Sequence, residues 1–298
     1  MRETDYPSVV AKDMGCSKEP DGYFRVASSV SYSGTALILL QRNLIPDDAF
    51  SSDRHYKLLM ATQQQVKEVR FTAPMTDVSL LDVFSDGRVL LVASRTSSSD
   101  DLNACVVDPE TDDCRFMHLG DGIGHCQIDD ADMIWIAYFD EGIYGNVALG
   151  AGGLVCFTPD GDAVWAAQPN GQSITIDDCE ALNISSEGAY FYYYADYALA
   201  KVVDDAPNLI DHVSVHGSLA FAVDRNQIAF SSGYDDPKNL CHGYRCTQSG
   251  LSYTRSVEVV RPDGSSVAAS SVIGRGKHLH FIDENGWFRV DAETIASI

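Results

Sequence analysis

The feature that most constrains this chain is a strand–turn–strand unit that recurs along it. Its clearest copy is Leu154-Val-Cys-Phe-Thr-Pro-Asp-Gly-Asp-Ala-Val-Trp165, with echoes around Asp86-Gly87 and Asp263-Gly264. Asp-Gly between alternating apolar runs predicts a hairpin, because glycine accepts the positive φ that a tight turn demands. Few stretches carry helical periodicity. Most of the chain reads as strands of about four to eight residues between clusters of Gly, Asp, Asn and Ser, the pattern of an all-β fold.

Aligning the hairpins divides the chain into six units, about 23–74, 75–121, 122–171, 172–212, 213–268 and 269–298. A strand repeat of about forty to fifty residues is the period of a propeller. The expectation is a single-domain, six-bladed β-propeller. Its last unit is one strand short. The segment around Ser8–Ala11 is expected to supply that strand, closing the ring and removing an exposed edge. The blade pattern, clearest in the copy ending at Trp165, resembles the six-bladed β-propeller superfamily, broadly its quinoprotein and sugar-lactone lactonase blades. Gly122-Ile-Gly-His-Cys-Gln127 and Ile134-Trp-Ile-Ala-Tyr-Phe-Asp-Glu-Gly142 are similar to uncharacterised bacterial propeller proteins. The resemblance implies the fold and a bacterial origin. The Glu/Asn/Asp metal set of lactonase-type propellers finds no residue-by-residue match in this sequence.

The formal charge is -22 over 298 residues. Such a chain repels phosphate backbones and anionic membranes, so neither nucleic acid nor a membrane is the expected partner. No apolar run is long enough to cross a bilayer. The start, Met1-Arg-Glu-Thr-Asp-Tyr-Pro7, lacks the basic-then-apolar pattern of a secretory signal, and a cytoplasmic location is expected. Acidity keeps a protein soluble, and it also steers basic partners onto a surface. In that setting the eight cysteines are expected as reduced thiols, with Cys105, Cys126, Cys156 and Cys179 as small buried hydrophobes. Cys241-His-Gly-Tyr-Arg-Cys246 has two thiols and an imidazole but lacks the four ligands of a structural zinc site.

The long connections are expected between second and third strands, at about 42–55, 95–103, 140–152 and 233–254. These emerge on the same side of a blade as the links between blades. That side is the expected working face, since loops on a rigid scaffold carry function. It would gather Arg42, Asp47, Asp48, Asp53, Arg54 and His55, then Asp100 and Asp101. Asp140, Glu141, Tyr144 and Asn146 follow, with Asp196 and Tyr197. The fifth unit adds Tyr234, Asp235, Asp236, Lys238, His242, Tyr244 and Arg245. Tyr and Arg suit protein-interface anchors, which bury area and keep a hydrogen-bonding end. Asp177, Asp178, Glu180 and Asp196 could converge as oxygen ligands for calcium.

The remaining signals read as structure. His278 and His280 share one face of a strand, as an edge-facing polar stripe or, less simply, a metal pair. Tyr190-Phe-Tyr-Tyr-Tyr194 reads as a buried blade strand, with carbohydrate stacking as the sharper alternative. No Gly-x-Ser-x-Gly elbow or phosphate loop is present. The resulting expectation is a non-enzymatic binding propeller that recognises a protein, such as a basic toxin or effector, through its acidic Tyr-rich face. The alternative is a metal-assisted hydrolase with axial carboxylates.

Overall fold

The computed structural model describes residues 6–15, 20–43, 53–96, 98, 101–167, 174–267, 269–283 and 286–297. Asp47, Asp48 and Asp100 lie outside the described residues. The described chain forms six sheets arranged as a six-bladed β-propeller. It divides into two compact units, Ser17–Cys179 and Met1–Cys16 with Glu180–Ile298.

Two short strands come first, β1 (Ser8–Val10) and β2 (Lys12–Asp13). Three blades then fill the unit Ser17–Cys179. They are β3 (Tyr23–Val30), β4 (Ala36–Arg42), β5 (Arg54–Ala61) and β6 (Val66–Ala73); β7 (Leu80–Val83), β8 (Val89–Val92), β9 (Ala104–Val107) and β10 (Cys114–Met117); and β11 (Ile123–Ile128), β12 (Ile134–Tyr138), β13 (Leu154–Phe157) and β14 (Ala163–Ala166). Each is an antiparallel meander. The middle strands β8, β9 and β13 are buried along their whole length, whereas the outer β14 is exposed at Ala163 and Val164. That is the gradient expected when faces stack blade on blade and the rim meets water. Val83, Leu91, Leu37, Leu58 and Phe71 help fill the core between the first two blades. Acidic turn residues stitch neighbours together: Asp132 accepts from the Ser85 amide and hydroxyl (2.8 and 2.6 Å), and Asp112 accepts from the Thr72 amide (2.8 Å).

The other unit holds β15 (Cys179–Ser185), β16 (Gly188–Tyr193), β17 (Ala198–Val203) and β18 (Ala206–His212). Next come β19 (Phe221–Asp224), β20 (Gln227–Phe230), β21 (Leu240–Thr247) and β22 (Gly250–Val260), then β23 (Ser271–Arg275), β24 (His278–Ile282) and β25 (Trp287–Asp291). Asn183, fully buried, bridges three blades of this unit. Its Nδ2 donates to the carbonyls of Phe221 (2.7 Å) and Gly276 (2.9 Å), and its Oδ1 accepts from the Gly276 amide (2.9 Å).

Each of the first four expected units holds four strands, and the differences lie in the fifth blade and in the strand that closes the sixth. The fifth blade closes with the long hairpin β21–β22, so the expected loop 233–254 shrinks to residues 231–239. Gly243 and a bulge beside it break the alternation that would have marked β21 as a strand. Asp263-Gly264 turns within the link to the sixth blade, where Val260 and Ser266 form a single bridge. The N-terminus does close the last blade, through Lys12–Asp13 paired antiparallel to β25. Ser8–Val10 instead adds a parallel fifth strand to β22.

Among the described residues two short helices complete the fold, α1 (Asp140–Ile143) and α2 (Ala292–Ala296), the second packed on the fifth blade. No helix among the described residues is long and apolar enough to cross a membrane. The seven described cysteines are free thiols, and burial pushes Cys156 up to about 12. His280 departs from the expected polar stripe. It is fully buried in the central strand β24, stacks on Trp287, and accepts the indole N–H at 2.9 Å. Burial holds its imidazole well below the usual histidine range.

Candidate functional site

In the unit Ser17–Cys179, the link after β12 does not wander as a loop. Asp140–Ile143 form the single turn α1, and residues Ala148–Gly152 form a 3-10 turn. Gly142 sits so close to the Asp121–Gly122 backbone that a Cβ would collide with it. The glycine therefore serves backbone packing rather than approach to a ligand. This packing brings α1 against the start of the link after β8, and a cleft of about 530 Å³ opens between them.

Arg95 is the centre of that cleft. Its Nε donates to Asp121 Oδ1 (3.0 Å), a second guanidinium nitrogen reaches Oδ2 (3.3 Å), and a third pairs with Glu141. The guanidinium also stands 5.6 Å from the Phe139 ring centroid. The Thr96 amide donates to Asp121 Oδ1 at 2.8 Å. Burial alone would raise the Asp121 carboxyl, but the Thr96 amide and the Arg95 guanidinium together hold it below the usual aspartate range. Arg95 is held protonated by the same carboxylates. Asp140, Tyr144 and Asn146 complete the lining, and Tyr144 is 69% exposed. Asp121, Asp140 and Glu141 outnumber the one guanidinium, so the cleft carries a negative balance.

A second group forms in the other unit, around the link after β16. Tyr190, Tyr192 and Tyr193 are buried as expected, and the Tyr192 hydroxyl donates to the Val215 carbonyl at 2.5 Å. Tyr194 leaves the strand and is 47% exposed. Asp196 and Tyr197 then adopt consecutive left-handed conformations (φ 54° and 50°). Such backbone costs about 1–3 kcal/mol per residue and marks functional sites more often than chance. It delivers the Tyr197 ring into a near-parallel stack on His216, with centroids 4.0 Å apart and planes 8° apart. Tyr194 meets Tyr197 edge-on at 5.2 Å. Tyr234 joins through its amide, which donates to the His216 carbonyl (2.9 Å), and through its hydroxyl, which donates to the buried carboxylate of Glu180. Its ring lies over Gly217, where positive φ and the absence of a side chain are both required.

No family model matches the chain, and no curated protein sequence matches it. Among solved structures, an auxiliary nutrient binding protein from Bacteroides ovatus ATCC 8483 is 9% identical over 96% of this chain and 76% of its own length, with a TM-score of 0.52. This chain is a six-bladed β-propeller. The propeller is also similar to the extracellular domain of a hybrid two-component system from B. thetaiotaomicron, at 10% identity and a TM-score of 0.48. That match covers 93% of this chain but only 39% of the other. The β-propeller domain of the Trilobed protease from Pyrococcus furiosus matches at 8% identity and a TM-score of 0.47, over 88% of this chain and 79% of that one. At such identities the likeness concerns the fold alone.

The propeller frame sorts the expected residues. Asp140, Glu141, Tyr144 and Asn146 share one cleft, to which the structure adds Arg95 and Asp121. Tyr234 and Asp235 are exposed beside His216, while Asp236 turns inward to the Gly233 amide and His242 (2.9 and 2.8 Å). Tyr244 and Arg245 do not belong to a loop surface, because both lie within β21. Tyr244 is 3% exposed, packed against Phe230 and Tyr253 and bonded to Ser214 at 2.6 Å. Arg245 pairs with Gln227, at the opposite end of the blade from the 231–239 link. Glu180 and Asp196 enter the aromatic group, whereas Asp177 and Asp178 sit half-buried in the link before β15. Among the described residues, no three or more His, Cys, Asp or Glu gather closely enough to hold a metal ion.

One line of groups has no signature in the sequence. His242 bridges Asp236 and Ser256 (both 2.8 Å), and Tyr253 continues it to Ser256 (2.8 Å). Ser256 is 8% exposed, with its hydroxyl already held between imidazole and phenol. The line ties the 231–239 link to the hairpin and does not present a nucleophile. His242 and Ser256 meet only through cross-strand register, which no spacing in the sequence announces.

Proposed function

We propose that this propeller is a binding protein that recognises a basic protein partner through the cleft built on Arg95, Asp121 and α1. The observation that carries the reading is the surplus of carboxylates around Arg95 beside the exposed Tyr144. A lysine or arginine from the partner would gain charge-assisted hydrogen bonds from Asp140 and Glu141, while Tyr144 supplies area at small entropic cost. Arg95 keeps the carboxylates ordered for that encounter and prevents their mutual repulsion from splaying the cleft. The chain's net charge of -22 adds long-range steering toward basic surfaces. A basic toxin or effector, held inactive in the cytoplasm, is the partner class that fits this balance.

The test is charge reversal at Asp140 and Glu141 together. The partner that co-purifies with the wild-type protein from native cells should associate about tenfold or more slowly with the variant, and with a flatter salt dependence. Association rate and salt slope unchanged from wild type would refute the reading.

A further inference from the structure

The aromatic group of the other unit has a construction that partner recognition at the Arg95 cleft does not use. Tyr234 is 61% exposed, yet the residue is held at three points, two of them on its ring. Its amide is bonded to the His216 carbonyl, its hydroxyl donates to Glu180, and one ring face lies on the backbone of Gly217. An exposed tyrosine so restrained loses little freedom on binding, which is the mark of a preorganised contact. Beside it, His216 is exposed with one face stacked on Tyr197, and Tyr194 stands 47% exposed at the edge of Tyr197. The left-handed backbone at Asp196 and Tyr197 brings the Tyr197 ring into this row.

The electrostatics select among ligands for such a row. A phenol that donates to a carboxylate gains electron density in its ring, so the hydrogen bond to Glu180 strengthens the negative face of Tyr234. Glu180 also acts on Tyr197, whose hydroxyl is held above the usual tyrosine range by burial and by its bond to Tyr194. Asp196 and Asp235 are exposed on the flanks. Electron-rich rings with carboxylates around them attract a cation over the ring face. A neutral apolar group would gain the contact area but none of this attraction.

We infer that Tyr234, with His216, Tyr197 and Tyr194, forms a binding platform for an alkylated ammonium group. The group could arrive as a free quaternary amine or on a methylated lysine. The inference is independent of the reading of the Arg95 cleft, and its probes need no protein partner, so either can fail alone. The experiment is titration by NMR and calorimetry with choline, with N-acetyl-trimethyllysine amide, and with 3,3-dimethylbutanol, the neutral isostere of choline. At least one cation should bind tenfold or more tightly than the isostere, and the tighter cation names the source. Tyr234→Leu should abolish the binding, while Tyr234→Phe, which keeps the ring and loses the Glu180 bond, should weaken it severalfold. Thermal melts confirm that each variant is folded. Equal affinity for choline and its isostere, or cation binding that survives in folded Tyr234→Leu, would overturn the inference.

Discussion

Replacing Asn183 tests whether the blades of the unit containing Glu180–Ile298 are locked by this one side chain. Its amide makes three hydrogen bonds, two to carbonyls and one from an amide, with Phe221 and Gly276 as partners. Asn183 is 0% exposed, so in Asn183→Ala the orphaned groups meet little water. Each bond contributes about 1 kcal/mol net, which sets a floor of about 3 kcal/mol for the variant; the Gly276 amide loses its acceptor, while the Gly276 carbonyl keeps the Val223 amide (2.9 Å). At about 2 °C of melting temperature per kcal/mol in a chain of this size, the expected loss is at least ~6 °C. Asn183→Asp refines the test. Its carboxylate can still accept from the Gly276 amide, but it faces two carbonyls without a donor and carries a buried charge. It should therefore be less stable than Asn183→Ala at neutral pH, and the gap should narrow on acidification, when a protonated carboxyl can donate once. Urea unfolding followed by tryptophan fluorescence measures both. An Asn183→Ala protein within ~1 kcal/mol of wild type, by the linear extrapolation, would refute the account of this residue as a three-blade lock.

Removal of residues 1–14 should strip β1 from β22 and β2 from β25. Both strands then become sheet edges, and hydrogen exchange should show their amides losing protection before those of β16 or β17; unchanged protection in β22 and β25 would count against the closure. Asp121 gives a pH signature. Its carboxyl is held below the ordinary aspartate value of 3.8, so its tie to Arg95 and Thr96 stabilises the fold above that value and is lost as pH falls through the depressed one. Asp121→Asn should therefore melt lower than wild type near pH 6, and the two curves should converge as pH drops below the aspartate range; a constant offset down to pH 2.5 would show that the charge is not the source.

What was legible in the sequence is what local pattern alone determines. In the first four blades, turns punctuate the strands at regular spacing, and β3 to β18 fall four to a unit within the expected ranges 23–74, 75–121, 122–171 and 172–212. The fifth blade is harder to read because Gly243 and its bulge erase the alternation of β21, so from sequence β21 reads as a loop and Tyr244 as a surface anchor. His280 resisted for a related reason. Its alternation with His278 is visible, but whether that face meets water depends on what stacks against it, and in the fold it meets Trp287. The cleft was half legible. Asp140–Asn146 stood out by composition, whereas Arg95 and Asp121 acquire their role only when α1 is folded against the Asp121–Gly122 backbone. The same holds for the aromatic platform, whose Tyr197, His216 and Tyr234 come from three separate connections and whose Glu180 comes from strand β15. A repeated fold makes this the general case: the repeat fixes where connections emerge, and function arises from residues of different connections that only the stacking of blades makes neighbours. Local pattern can therefore point to the links that matter, but the chemistry at those links belongs to pairs, such as Tyr234 with Glu180, whose partners lie far apart along the chain.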